Sequence, residues 1–600
     1  LKARKEARAP QFFDCLRSVV GGAASWGRPP SPSQRAAMVA SMPAGGSVPK
    51  GETPKTVFLY CVVAFATVGA ILFGLDQGNW AGAIEKPDFI AAFCHEDPAH
   101  PEKTCEAEEA SHKPPTYTTF LSWGSSLVQF GAFFGAVILA PPITGRMGRR
   151  EAMFIGCLVT IVGVVPMCLF IQQQAFEAAR FIAGVGVGIV TYALPMFIAE
   201  VSPAQIRGML GSAFQLLMVI GMIIAALLNT QPWFNYRASF SLPGYPALVM
   251  CLGIFCFPVS PRFALIKGIR QGNPEKGSKR ALAALIKLRG SKKAAEAELN
   301  ELKQSMESEE EEAPWSTLFK DPSILKRVLI ASGLQWMQQF TGINALLSYG
   351  PSMLKEAHLQ MDAEVAQFII NCFNLVGTAM MMAVIDKFGR RPLMLAGSSM
   401  MFVFMVAAGI IAMQMEKGSG HVGHSAIAGK IEPIFAKETN VTAVAAGTVR
   451  LLADVATGGE ARVEGGENSG GLGVALMVCL CGYILAFGVG WGGVPWVYPS
   501  EIFPMDVKEK AMSISVGSQW LANFLIAFLV PQQVSLLGLD GTFFFYAVCL
   551  LIIFSIVFFC IPETKGVEMQ DMDNLFGPRL GADSTTSGDE SGNTSSETEE

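Results

Sequence analysis

Apolar runs of 18 residues or more recur about twelve times along this chain, and that repetition decides what it folds into. They lie near 57–84, 117–140, 151–173, 176–198, 208–230, 242–259, 326–352, 364–385, 392–415, 472–499, 510–533 and 541–561. A backbone in lipid finds no water to bond, so runs of this length cross as helices. Charged residues make up 16% of the chain, against roughly 25% in soluble domains, and they gather in short patches between the runs. The expected fold is therefore an all-α membrane protein with twelve transmembrane helices, here called spans 1 to 12. No nucleophile–base set, metal-ligand cluster or phosphate loop stands out. An enzyme, a cofactor, a metal and a nucleic-acid partner are all unexpected; the lipid bilayer is the one partner the composition demands.

Charge placement orients the spans. Arg146, Arg149, Arg150, Arg207, the basic residues from Lys267 to Lys326, and Lys387, Arg390 and Arg391 all fall in the linkers after even-numbered spans. The positive-inside rule puts these linkers and both termini in the cytoplasm. The linker at 85–116 and the insertion at 416–471 then lie outside. Asn440 opens a glycosylation sequon in that insertion. Cys94 and Cys105 share the 85–116 loop and are candidates for a disulfide if it faces the outside. Residues 1–50 read as a disordered basic leader, with an organelle transit peptide as the alternative. The Ser-, Thr- and acid-rich segment 566–600 reads as a disordered cytosolic tail.

The chain repeats itself. Arg146-Met-Gly-Arg-Arg150 returns 241 residues later as Lys387-Phe-Gly-Arg-Arg391, and Glu200-Val-Ser-Pro203 returns 301 residues later as Glu501-Ile-Phe-Pro504. The larger second offset places an insertion between spans 9 and 10. Two six-helix halves, 51–260 and 326–565, are joined by a charged, helix-forming cytosolic linker at 261–325. Parallel six-span repeats of this kind build a known class of transporter.

One apolar run is unexpectedly polar. Gln335, Gln338 and Gln339 fall at i, i+3 and i+4 and form one stripe on a helix, with Asn344 just beyond. Amides at membrane depth face a cavity or a partner. They donate and accept without charge, which suits a neutral ligand covered in hydroxyls. The competing reading is that they bond neighbouring helices. Asn371 and Asn374 on span 8, and Gln519 and Asn523 on span 11, repeat the helical spacing. Asp76 and Arg180 are the two charges well inside an apolar run; unlike charges there pair and serve function.

Together with Phe73-Gly-Leu-Asp-Gln-Gly78, Arg180-Phe-Ile-Ala-Gly184, Pro495-Trp-Val-Tyr-Pro-Ser-Glu501 and Pro562-Glu-Thr-Lys-Gly566, these motifs resemble the sugar porter family of the major facilitator superfamily over about 55–570. The resemblance implies a monosaccharide carrier, a hexose carrier first of all, working by alternating access and active as a monomer in the plasma membrane, with vacuole or plastid envelope as alternatives. It places the sugar against Gln215, Gln338, Gln339, Asn344, Asn374, Trp496, Gln519 and Asn523. Asp76 would bind a coupled proton, tuned by Arg180; in a facilitative uniporter the pair would be structural. Tyr349 would gate the site, and Gly492 and Pro495 would break span 10 so that it can move. Arg149, Arg150, Glu200 and Arg207 in one half, and Asp386, Arg390, Arg391 and Glu501 in the other, would latch the cytosolic ends. The chain departs from the family pattern at Gly145 and Val259, where acidic or amide residues are usual. A pentose or inositol carrier and a non-transporting sugar sensor are the other readings.

Overall fold

The structure is a computed structural model that describes residues 57–97, 100–104, 114–203, 207–308, 313–356, 362–418, 469–504, 506–567 and 572–577. Among the described residues, nine helices are long and apolar enough to cross a membrane. Spans 1 to 4 are Val57–Ala83, Thr116–Arg146, Arg149–Leu169 and Gln173–Val201. Spans 6, 8, 9 and 10 are Tyr236–Cys256, Glu364–Ile385, Arg390–Met415 and Gly471–Ile502. The ninth helix, Lys508–Cys560, contains spans 11 and 12, turning between them at Gly538 with φ 74°. Span 5 is Arg207–Asn229. Span 7 is split into Pro322–Phe340 and Ile343–Glu356. The twelve expected crossings are therefore present.

Two features of these helices follow from single residues. Span 7 breaks because Gly342 takes φ 91°, and a Cβ there would lie 2.7 Å from the Tyr546 ring. Sequence periodicity ran span 7 through this point as one helix. In span 2, a π-turn at Gly135–Leu139 precedes Pro141. Pro141 has no N–H to give, so the Ala136 carbonyl is left for Ser513 Oγ of span 11, at 3.3 Å.

The halves meet along spans 1, 2 and 5 on one side and 7, 8 and 11 on the other. Linker helices Pro261–Arg270, Pro274–Arg289 and Lys292–Ser308 cover the end that carries the basic motifs, called here the basic end. The buried side chain of Arg289 clamps Glu298 at 2.7 Å and donates to the Val201 carbonyl at 3.0 Å, tying the linker to span 4. The opposite end carries a small antiparallel hairpin, β1 His95–Asp97 and β2 His100–Thr104, the β structure of the described residues. It is called here the hairpin end.

Candidate functional site

The amide stripe of span 7 divides its work. Gln335 Nε2 donates to the Pro495 carbonyl at 2.9 Å. Gln338 Nε2 donates to the carbonyls of Trp491 and Gly492 at 2.8 and 3.2 Å. Span 10 stops at Gly490 and restarts at Val494, so the Trp491 and Gly492 carbonyls have lost helical partners, and Pro499, one turn on, has no N–H for the Pro495 carbonyl. The two glutamines thus hold the broken turn, and Trp491 Nε1 pins it from the other side to Ser398 Oγ at 2.9 Å. Asn344 Nδ2 donates to Gln339 Oε1 across the break in span 7. Tyr483 Oη donates to the Thr341 carbonyl in that break at 2.7 Å.

Gln215, Asn374, Gln519 and Asn523 are buried on spans 5, 8 and 11. None of the four hydrogen-bonds another among the described residues. The amide oxygens of all four, and of Gln335 and Gln338, have no protein partner. A buried acceptor left bare costs about 1–3 kcal/mol. Such a set fits a ligand rich in hydroxyl donors. Span 8 reaches span 5 through Asn371 Nδ2, 3.4 Å from the Met222 carbonyl. Trp496 is half-buried and meets Phe214 of the other half at 6.0 Å between rings. Sequence reading missed Trp520, which is buried on span 11 and packs edge-on against Phe73 of span 1 at 5.1 Å.

Asp76 and Arg180 do pair, at 3.3 Å, with both side chains about 97% buried or more. Arg180 is held further: Nε donates to the Gly124 carbonyl at 2.8 Å, and the guanidinium lies 4.7 Å from the Trp80 ring and 5.6 Å from the Phe240 ring. Gly124, Trp80 and Phe240 carry no charge and gave no signal in the sequence.

Both ends of the interface are closed. At the hairpin end, Tyr349 Oη lies 2.6 Å from Ser125 Oγ, and Ser352 Oγ donates to Glu85 at 2.6 Å. At the basic end, Arg149 pairs with Glu200 at 2.9 Å within its own half and with Glu509 of the other half. Tyr192 Oη adds a 3.2 Å bond to the Glu509 carbonyl. Glu509 was not among the expected latch residues. Arg150, grouped with Glu200 from the sequence, instead pairs with Glu151 at 2.8 Å and donates to the Phe257 carbonyl. In the second half Arg390 pairs with Glu501 at 2.7 Å, and Thr564 Oγ1 donates to the same carboxylate. Glu563 accepts from the backbone N–H groups of Arg390 and Arg391 at 3.0 and 2.9 Å, at the start of span 9. Arg391 itself donates to the Phe558 carbonyl. Gly145, where the family pattern is broken, offers its carbonyl to Arg270 at 2.6 Å. The side chains of Arg207 and Asp386, and all of Asn440 and Cys105, lie outside the described residues. Cys94 is disulfide-bonded.

The family model described as "Sugar (and other) transporter" matches residues 62–446 and 442–576. Sugar transport protein 11 of Arabidopsis thaliana is 28% identical over 538 residues, spanning 88% of this chain and 92% of that protein. Sugar transport protein MST7 of Oryza sativa subsp. japonica is 27% identical over 549 residues, spanning 89% and 94%. Among solved structures, the major facilitator superfamily proton:xylose symporter XylE bound to 6-bromo-6-deoxy-D-glucose aligns with TM-score 0.63 and 22% identity, over 87% of this chain and 100% of that one. A partially occluded, inward-open XylE from E. coli aligns with TM-score 0.61 and 22% identity, over 85% and 99%. These likenesses show the twelve-helix major facilitator fold.

Proposed function

The chain belongs to the Sugar (and other) transporter family, and from that premise we propose that it moves a hexose, glucose foremost, through alternating access coupled to a proton. The observation that carries the sugar is the set of buried amides on spans 5, 7, 8 and 11 whose oxygens lack protein partners. Hydroxyl groups supply donors to such acceptors, and among the described residues no Lys or Arg side chain bonds these amides, which fits a neutral ligand over an acid. Trp496 adds an apolar face for a pyranose ring and an indole donor.

The closed contacts at the two ends support a cycle in which they break in turn. With the basic end in the cytosol, Arg149–Glu509 parts to release sugar inward, and Tyr349–Ser125 parts to admit it from outside. Both termini are then cytosolic and the protein works as a monomer, at the plasma membrane by default. Asp76 takes up the proton from the outer solution. Protonation weakens its tie to Arg180, and the proton leaves to the cytosol after the switch. A facilitative uniporter is the second reading, favoured by the extra ties that hold Arg180 to Gly124 and Trp80 independently of Asp76.

The test is uptake of labelled glucose by cells lacking their own hexose carriers, with unlabelled hexoses, xylose and inositol as competitors. Saturable uptake, competed best by hexoses and lost in Gln339→Ala at normal membrane abundance, is expected. Stronger competition by xylose or inositol would move the assignment to that substrate, and no saturable uptake would overturn it.

A further inference from the structure

Tyr349 does more than close over the sugar, because its seat is built onto the charged pair. The hydroxyl contacts Ser125 Oγ at 2.6 Å and the Ala527 carbonyl at 3.2 Å, while Ser125 Oγ reaches that same carbonyl at 3.3 Å. Three elements from both halves, spans 2, 7 and 11, meet at this point. Ser125 follows Gly124, whose carbonyl anchors Arg180 Nε. Trp80, whose ring lies under the Arg180 guanidinium, lines the same cleft as Ser125. Asp76, Gln77, Trp80, Ser125, Gln129, Arg180 and Ser348 line one narrow cleft, so the residue preceding Tyr349 shares it with the pair from the opposite half. Among the described residues, the charged or titratable side chains acting on Asp76 and Arg180 are each other and Tyr349. Gly124 from span 2, Phe240 from span 6 and Trp80 from span 1 add contacts to Arg180 without charge.

The same helix segment carries the sugar amide. Asn344 and Tyr349 both lie on Ile343–Glu356, beyond the break at Gly342. A ligand that draws Asn344 inward, toward Gln339 on the far side of the break, moves Tyr349 with it, as one rigid piece turning on the glycine.

We propose that Tyr349, seated on Ser125, is the element that couples sugar to proton: sugar binding swings it onto the Asp76–Arg180 pair and seals the proton there before the carrier switches. This rests on the proton-coupled reading above. With sugar bound, the proton taken up by Asp76 from the outer solution is trapped and passes inward. Without sugar, Tyr349 stays off its seat, Asp76 remains open to the outer solution, and the proton returns the way it came. Ser125 is a positioning residue in this scheme, acting through the tyrosine. The hydroxyl is the working part, because the ring alone fills space but has no hold on Ser125 or Ala527.

The experiment uses the full chain in liposomes, with labelled glucose entry and internal pH read together. The wild type should move about one proton per sugar and should show little proton entry without sugar. Tyr349→Phe and Ser125→Ala should each lower the proton-to-sugar ratio severalfold and open a sugar-free proton leak. The leak is readable even where a variant's sugar flux is too low for a ratio. Ratios equal to the wild type, or variants without a leak, would overturn the proposal while leaving symport in place. A wild type that moves sugar with no proton would instead refute the symport reading itself, and the coupling role with it.

Discussion

Arg149 on span 3 and Glu509 on span 11 form an ion pair that joins the two halves at the basic end. Arg149 also holds Glu200 within its own half at 2.9 Å. When the halves part, the buried guanidinium keeps one carboxylate, so opening does not strand it without a partner. In the proposed cycle the basic end therefore opens by giving up one of two partners, and a contact of this kind would tune the switch without locking it.

Glu509→Gln should favour the state open at the basic end. The carboxylate is 39% exposed, so solvent screening limits its contribution to about 1 kcal/mol, roughly a fivefold shift in population. The distance between probes attached at exposed Met147 and Phe388, on the two halves, should lengthen on average. An unchanged distribution would remove Glu509 from the latch.

Two glutamines that look alike in the sequence should behave differently. Gln338→Ala takes away the donor that the freed Trp491 and Gly492 carbonyls share. Leaving them bare costs about 1–3 kcal/mol, so the melting temperature should fall by several degrees. Gln519→Ala breaks no protein hydrogen bond from its amide oxygen. It should leave the melting temperature nearly unchanged and raise KM for the sugar about tenfold, the equivalent of about 1.4 kcal/mol. Thermal melts and uptake kinetics on both variants separate the two roles; equal melting losses would contradict the division.

Gly389→Ala should be far worse than Gly145→Ala. Gly389 has φ 94°, and a Cβ there would meet the Glu563 carboxylate at 2.7 Å, just where it caps the start of span 9. Strain and lost capping together should cost about 2–4 kcal/mol. A Cβ at Gly145 meets nothing within 4 Å. Yield and melting temperature of the purified variants check this; comparable behaviour would show that the cap does not bear on stability.

The crossings, the two-half repeat and the buried charges could be read in the sequence because each leaves a local mark: apolar length, a recurring basic motif, a lone Asp76 or Arg180 in an apolar run. What stayed hidden depends on contacts between distant segments. Glu509 carries no motif that sets it apart in the sequence, and only the closed halves bring it to Arg149, 360 positions away. Ser125 is one of several serines in span 2, with nothing to distinguish it until Tyr349 is placed against it. The break in span 7 needs Gly342 at positive φ against Tyr546 of span 12, which hydrophobic periodicity cannot register. The amide stripe was visible, but its split between Gln338, which ties span 10, and Gln339, which pairs with Asn344, belongs to tertiary packing.

Asp76→Asn removes the proton acceptor while keeping a polar group beside Arg180. Sugar exchange across the membrane should continue, and accumulation against a gradient should be lost. Accumulation equal to the wild type would show that Asp76 carries no proton.

The most direct test of the account is labelled glucose uptake by the wild-type protein at acid and at neutral external pH, with and without a protonophore. Uptake that is faster in acid, and accumulation that collapses when the protonophore is added, is the predicted result. Uptake indifferent to both would contradict proton coupling and leave Asp76–Arg180 as a structural pair in a uniporter.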